Sequence, residues 1–378
     1  MNRIKTKINR KALLLALGGI FLSVILGFYL KTNHFYSKIY TGGSFFGSKK
    51  IEPKTQYNML IMGYGGGKHE GTYLTDTMMV GHIDTVKKTV TLISLPRDMW
   101  ILVPTKNKDE TFHAKINSIY QMGLLPRNYP AIESKYQSVQ GAAELLKTIL
   151  KRVTGLTIDN YAALDFTGFT KAVDLLGGMT VSVDKSFDDY KYPIDGKEND
   201  PCGKVGEELD KAEKEATESP ELIFPCRYEQ LHFDSGKQLM DGKTALKYVR
   251  SRQSTQDGGD FSRARRQQLF LEAVRQKVLN LGIVTKVVPL MDELEDNIRT
   301  DVTPEQMKQF LSEADNASQY KMSHFVLSTK NYLTESHSSD RQYILIPKLG
   351  VDRWISVRAG IAKNLSGITP TLKLSPRK

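Results

Sequence analysis

The feature that most constrains this chain lies at its start. Ala12–Leu30 is a nineteen-residue apolar run without a single charge. As a helix it spans roughly 29 Å, close to the hydrocarbon thickness of a bilayer. Five cations precede it (Arg3, Lys5, Lys7, Arg10, Lys11), and no acid occurs in the first eleven residues. The positive-inside rule then keeps residues 1–11 in the cytoplasm and sends the long remainder across the cytoplasmic membrane. A cleaved signal peptide would have a shorter apolar core and a small-residue cleavage site. Phe28–His34 offers no such site, so residues 12–30 read as an uncleaved, single-pass signal anchor.

The anchor narrows what the other residues can mean. The chain has 378 residues and a net charge of +11, of which five charges belong to the basic start. The residual excess suits phosphate partners. Nucleic acid is a poor partner for an exported domain. Cys202 and Cys226 are the two cysteines. In an exported polar region they are expected to form a structural disulfide. The seven histidines are scattered without metal-ligand spacing, so no zinc site is assigned.

Residues 31–52 read as a stalk, 53–367 as the extracytoplasmic domain and 368–378 as a loose basic tail. Met59–Met62 and Thr77–Ile83 have the pattern of strands, separated by a glycine-rich loop over Gly63–Gly71. Asp84–Lys88 is a turn and Thr89–Leu95 a third strand. Ala142–Val153 and Asp165–Leu176 read as helices, the second closed by Gly177 and Gly178 before a strand at Met179–Val183. Residues 186–230 are polar and turn-rich, a surface insertion holding both cysteines. Leu239–Val249 reads as a helix leading into a strand. Phe261–Leu281 is a long helix with Phe270, Ala273, Val274 and Val278 inward. A helix at Pro304–Ala314 and strands at His324–Ser328 and Tyr343–Ile346 follow. The fold class implied is α/β, an α-β-α sandwich with a mixed central sheet behind one transmembrane helix.

Tyr248–Arg252 carries the strongest chemical signal. As a strand end it would place Arg250 and Arg252 on one face, where a phosphate could sit between them. Gly259–Asp260 looks like a helix cap, with Ser262 as a second candidate, and helix starts attract anions. Arg263 and Gln267, four residues apart, share a face of that helix. Arg265 and Arg266 point elsewhere, toward solvent. The hairpin between the second and third strands should bring Asp76, Arg97 and Asp98 together. A carboxylate facing phosphates is a natural Mg²⁺ ligand. No P-loop, dinucleotide fingerprint or nucleophile elbow is present.

These residues, in this order, resemble one family. Thr75-Asp76-Thr77-Met78-Met79, Ser94-Leu95-Pro96-Arg97-Asp98, Lys115-Ile116-Asn117, Asp159-Asn160-Tyr161 through Gly177-Gly178-Met179, Asp241–Leu246 into Arg250-Ser251-Arg252, and Gly259-Asp260 through Arg266-Gln267 are similar to the LytR-CpsA-Psr family. The resemblance runs from about Tyr57 to about Leu365. It implies attachment of a cell-wall glycopolymer, such as teichoic acid or capsule, to peptidoglycan. The implied donor is a polyprenyl-pyrophosphate-linked polymer, and polyprenyl phosphate would leave. Arg97, Arg250, Arg252, Arg263 and Gln267, with Lys115, are the implied pyrophosphate ligands. Asp76 is the implied ligand of Mg²⁺ or Mn²⁺, and Asp76, Arg97, Asp98, Arg250 and Arg252 the implied catalytic set. The general base stays open among Asp76, Asp98 and Asp260. The chain departs from the family in one place: Gly63-Tyr64-Gly65 lacks the Asp often found after the first strand, and Leu74 replaces an Arg. A lipid-pyrophosphate binder or pyrophosphatase, and a membrane-bound transcriptional attenuator, are the alternative readings.

Overall fold

The computed structural model describes residues 30–42, 54–67, 71–107, 109–216, 220–280, 290–313 and 318–367. The basic start, almost all of the apolar run and the tail after residue 367 lie outside these residues. Among the described residues no helix is long and apolar enough to cross a membrane.

A meander opens the domain. β1 (Gln56–Tyr64), β2 (Thr75–Asp84) and β3 (Thr89–Ser94) pair antiparallel. Their side chains are buried on both faces, hence their nearly continuous apolar runs. β4 (Trp100–Leu102) and β5 (His113–Lys115) form a short ribbon beyond them. β6 (Asn160–Asp165) lies parallel to β1. β7 (Met179–Val183) pairs with β10 (Gly236–Met240), and β8 (Phe187–Pro193) with β9 (Tyr228–Phe233). β11 (Ile298–Thr300) joins β6 antiparallel, and β12 (Lys321–Val326) joins β3 in parallel. β13 (Leu333–His337) and β14 (Tyr343–Pro347) make a last hairpin. The central sheet is therefore six-stranded and mixed, in the order β11-β6-β1-β2-β3-β12.

Helices cover both faces of this sheet. On one face the helix Val139–Thr154 packs Leu145, Leu146, Ile149, Leu150 and Val153 against Leu60, Met62, Val80 and Ile93. Ser138 caps its start by accepting from the Gly141 amide, and Gly155 ends it in the left-handed region. Each such buried side chain is worth roughly 1.5–3 kcal/mol. On the other face lie the helices Phe166–Leu175, Gly242–Arg250 and Gly259–Asn280. Asp165 caps the first of these through the Gly168 amide. Gly178, at φ 79°, turns its chain into β7, and a Cβ there would meet the Met240 carbonyl oxygen at 3.0 Å.

Three expectations need correction. Residues 30–39 form a helix that docks on the domain instead of a free stalk. Tyr36 and Ile39 are buried, and Thr41 bonds to Tyr161 and Thr300. Tyr248–Arg252 is no strand: Arg250 is the last residue of a helix, capped at its start by Asp241. Ala245, Tyr248 and Val249 are buried at helical spacing, and that packing overrides the local strand propensity of Tyr and Val. The 186–230 insertion is not wholly superficial, since β8 and β9 place Phe187, Tyr192, Leu231 and Phe233 in a second core.

Candidate functional site: an apolar groove meeting an arginine pocket

Four elements bring the cations together. Arg97 follows β3, and its Nη1 lies 2.8 Å from Oδ1 of Asp76 at the start of β2. Arg250 ends its helix, and Arg252 stands two residues on. Arg263 and Gln267 project from successive turns of the helix Gly259–Asn280. Asp260, in that helix's first turn, ties the group: it lies 3.2 Å from Arg263, 3.7 Å from Arg252 and 4.0 Å from Arg97. The Asp260 carboxylate therefore serves the arginines, and the expected capping role is not seen.

Arg250 is positioned differently. Its guanidinium lies 4.3 Å from the Phe166 ring centroid and 5.6 Å from that of Tyr192, and it pairs with exposed Asp195 at 3.0 Å. Gln267 donates to Thr77 Oγ1 at 2.8 Å and to the Val249 carbonyl at 3.2 Å.

Burial raises the Asp76 carboxyl, but the charges of Arg97, Arg263 and Arg252 and the Arg97 hydrogen bond prevail and hold it below its ordinary value. Burial pushes Arg263 down to about 10. Asp260 resists that fall, while Arg97 and Arg252 deepen it. A bound anion would relieve this crowding of like charges.

Two cavities meet at these residues. One of about 260 Å³ lies between the sheet and the three helices, lined by Ile61, Met79, Phe169, Phe270, Leu271 and Val274 among others. The second, about 300 Å³, is lined by Asp76, Arg97, Arg250, Arg252, Arg263 and Lys191 among others. Thr77, Phe166, Arg250 and Gln267 belong to both walls. The result is one amphiphilic site, oily at one end and cationic at the other.

The remaining candidates fall around it. Asp98 is buried and pairs with Lys115 at 2.9 Å and with Arg97 at 3.5 Å. Both Asp98 and Lys115 stand behind Arg97 and off the pocket wall. Arg265 is exposed and pairs with Asp184. Arg266, expected in solvent, is buried: it bonds to Asp257 and to the Tyr248 and Ser251 carbonyls, holding the arginine-bearing turn. Cys202 and Cys226 are joined in a disulfide.

Several contributors were not foreseen. Asp189, on β8, accepts from Ser251 Oγ at 2.6 Å and from the Arg252 and Gln253 amides at 3.1 Å. Lys191, Tyr192 and Tyr228, also from the insertion, wall the pocket. The aromatic-rich run Phe187-Asp188-Asp189-Tyr190-Lys191-Tyr192 was a strand signal inside a stretch that otherwise looks solvated.

For a metal, two carboxylates line the pocket, Asp76 and Asp189. Asp189 is spent on the Ser251 hydroxyl and the Arg252, Gln253 and Lys191 amides, which leaves Asp76, and Gly65 offers no side-chain ligand. Mg²⁺ commonly takes one or two carboxylates together with phosphate oxygens and water. The donor set fits an ion held jointly by protein and phosphate, and not one held by protein alone. Among the described residues the one three-residue group of close potential ligands is Asp200, Cys202 and Cys226, whose sulfurs are spent in the disulfide.

The profile of the LytR_cpsA_psr family matches residues 28–348. The chain belongs to this family. Over 312 residues it is 27% identical to Biofilm regulatory protein A of Streptococcus mutans, covering 78% of this chain and 64% of that one. Over 261 residues it is 24% identical to the polyisoprenyl-teichoic acid–peptidoglycan teichoic acid transferase TagU of Oceanobacillus iheyensis, covering 68% and 63%. The chain thus spans a little under two thirds of the length of these relatives. Protein gbs0355 from Streptococcus agalactiae shares the fold with a TM-score of 0.55 at 20% identity, over 82% of this chain and 88% of that one. The mixed α/β architecture of this LytR_cpsA_psr member is therefore a shared one.

Proposed function

We propose that this chain is an extracytoplasmic phosphotransferase. It moves a glycopolymer from a polyprenyl-pyrophosphate carrier to a sugar hydroxyl of peptidoglycan and releases polyprenyl phosphate. The observation that carries this reading is the shared wall between an apolar groove and an arginine pocket. A polyprenyl pyrophosphate has that same division, a hydrocarbon tail joined directly to two phosphates. The transferase name of the TagU relative points the same way.

In this reading Phe169, Phe270 and Leu271 hold the tail, and Arg97, Arg250, Arg252 and Arg263 bind the phosphate oxygens. Gln267 stands at the boundary and donates there. The acceptor hydroxyl attacks the sugar-proximal phosphorus, and the bond to the departing polyprenyl phosphate breaks. Phosphoryl transfer needs mainly positioning and charge neutralisation, which fixed guanidiniums supply. Asp76 would hold Mg²⁺ or Mn²⁺, which when bound neutralises further phosphate charge. The apolar run at residues 12–30 anchors the domain to the outer face of the cytoplasmic membrane, where carrier and wall are both in reach.

A purified full-length chain, mixed with lipid-linked donor and peptidoglycan, should yield polymer-linked peptidoglycan. Arg250→Ala should lower the rate by roughly 10²–10³, as loss of one charge-stabilising donor does elsewhere. Undiminished transfer by that variant would remove the clamp mechanism. Polyprenyl phosphate released without an acceptor-linked product would instead indicate a pyrophosphatase.

A further inference from the structure

The apolar groove and the arginine pocket account for the donor, yet a two-substrate reaction needs a second berth. The helix Gly259–Asn280 has the apolar groove on one flank, along Phe270, Leu271 and Val274. Its other flank carries a separate groove of about 550 Å³, lined by Phe261, Ser262, Arg265, His324, Ser328 and Lys330 among others. This is the larger of the two cavities and the more polar, with hydroxyl, basic and aromatic side chains in its lining.

A narrow neck of about 10 Å³ lies between this groove and the arginine pocket. It shares Phe261 and Val326 with the groove, and Asp76, Arg263 and Gln267 with the pocket. That volume accommodates about one water-sized group, such as a hydroxyl. Asp76 and Asp260 both line the neck, whereas Asp98 does not. Oδ1 of Asp260 is buried and receives no hydrogen bond, although Arg263 and Arg252 neutralise its charge. An acceptor oxygen held in ion pairs but free of a well-aligned hydrogen bond, beside a space of about 10 Å³, is matched to a group bringing an O–H.

The geometry points to the β12-side groove as the berth of the acceptor glycan, with Asp260 receiving the proton of its attacking hydroxyl. This rests on the transferase reading above and adds to it a place for the second substrate. In-line displacement at phosphorus requires nucleophile and leaving group on opposite sides. The leaving polyprenyl phosphate has its tail on the first flank of the helix, so the hydroxyl arrives from the second. The new bond joins the sugar oxygen to the sugar-proximal phosphorus. The bond from that phosphorus to the bridging oxygen breaks, the electron pair leaves with polyprenyl phosphate, and the proton passes to Asp260. Lys330 suits the carboxylates that peptidoglycan stem peptides carry, while Arg265 and His324, paired with Asp184 and Glu272, give the groove a polar wall.

The test uses the full-length chain, a lipid-pyrophosphate donor and soluble uncrosslinked peptidoglycan strands as the varied acceptor. Ser262→Trp and the double variant His324→Ala/Lys330→Glu should each raise the acceptor KM about tenfold, with kcat nearly kept. Donor affinity, measured separately on the same proteins, should not move, which also shows that they fold. Asp260→Asn should lower kcat by roughly 10²–10⁴, the range of general-base catalysis, with donor affinity kept. An unchanged acceptor KM alongside a transfer-dead Arg250→Ala overturns the berth and leaves the donor reading intact. Groove variants that weaken donor binding instead assign the groove to the donor's own glycan and also overturn it. Transfer that survives Arg250→Ala would count against the donor reading itself.

Discussion

Asp189 is 1% exposed, yet its carboxylate is fully employed, holding Ser251 by its hydroxyl and Arg252 and Gln253 by their amides. It fixes the backbone on which Arg252 is carried. Asp189→Ala would leave the buried Ser251 hydroxyl and the part-buried Arg252 and Gln253 amides without their acceptor, at a cost of roughly 2–4 kcal/mol. Urea unfolding should show that loss, and donor affinity should fall in parallel; normal donor affinity in a destabilised variant would separate Asp189 from the site. Asp76 makes a pH prediction. Its folded value lies below the ordinary 3.8, so its ion pair contributes stability above that pH and loses it as pH falls through the lower, folded value. A carbon-13 titration of the Asp76 carboxyl should give a midpoint below 3.8, and one at or above it would show that the arginines do not govern it. Of the site residues, those in short-range patterns were legible. Arg97 beside Asp76 followed from the hairpin, and Arg263 with Gln267 from helical spacing. Asp189 was not legible, because nothing local distinguishes a buried carboxylate from a solvated one.

At the scale of elements, the insertion matters most. β8 and β9 carry Lys191, Tyr192 and Tyr228 into the pocket wall, and the Cys202–Cys226 bridge staples the segment between them. Lys191 is held in turn by Glu221, at 2.6 Å. Replacing both cysteines by serine should cost roughly 3 kcal/mol in the chain-entropy model. The expected kinetic signature is a higher donor KM with kcat little changed, because the arginines sit on other elements. A purely global loss of stability with normal KM would mean that the wall holds without its staple. The central meander was readable from its apolar runs and turn, since both faces of those strands are buried. The helix Gly242–Arg250 was partly misread, because tertiary packing and not local propensity decides the last turn. Its correct geometry still gathers Arg250 and Arg252: a helix end followed by an extended residue, Ser251 at φ −52° and ψ 136°, replaces strand alternation.

At the scale of the molecule, the segment leading into the domain is part of the fold. Tyr36 and Ile39 are 6% and 3% exposed, and Tyr40 bridges to Thr300 on the edge strand β11. A protein starting at residue 30 should therefore be more stable than one starting at residue 54, by about 2–4 kcal/mol for the lost burial. Scanning calorimetry should register that as a fall of several degrees in Tm. Equal transitions would show the segment to be a mere leash. The mixed sheet was anticipated as a class, but its order was not, because β11 has only three residues and the parallel partners of β6 and β12 lie far away in sequence.

The wall shared by groove and pocket bears finally on turnover. In the proposed reaction the departing lipid keeps its whole tail and one of its two phosphates. Gln267, Thr77 and Arg250 would grip that product almost as they gripped the donor. Chemistry alone then does not free the enzyme: the spent carrier must be drawn back into the membrane before another can enter. A site this faithful to the junction of oil and charge is fast only where something downstream keeps removing what it has finished with.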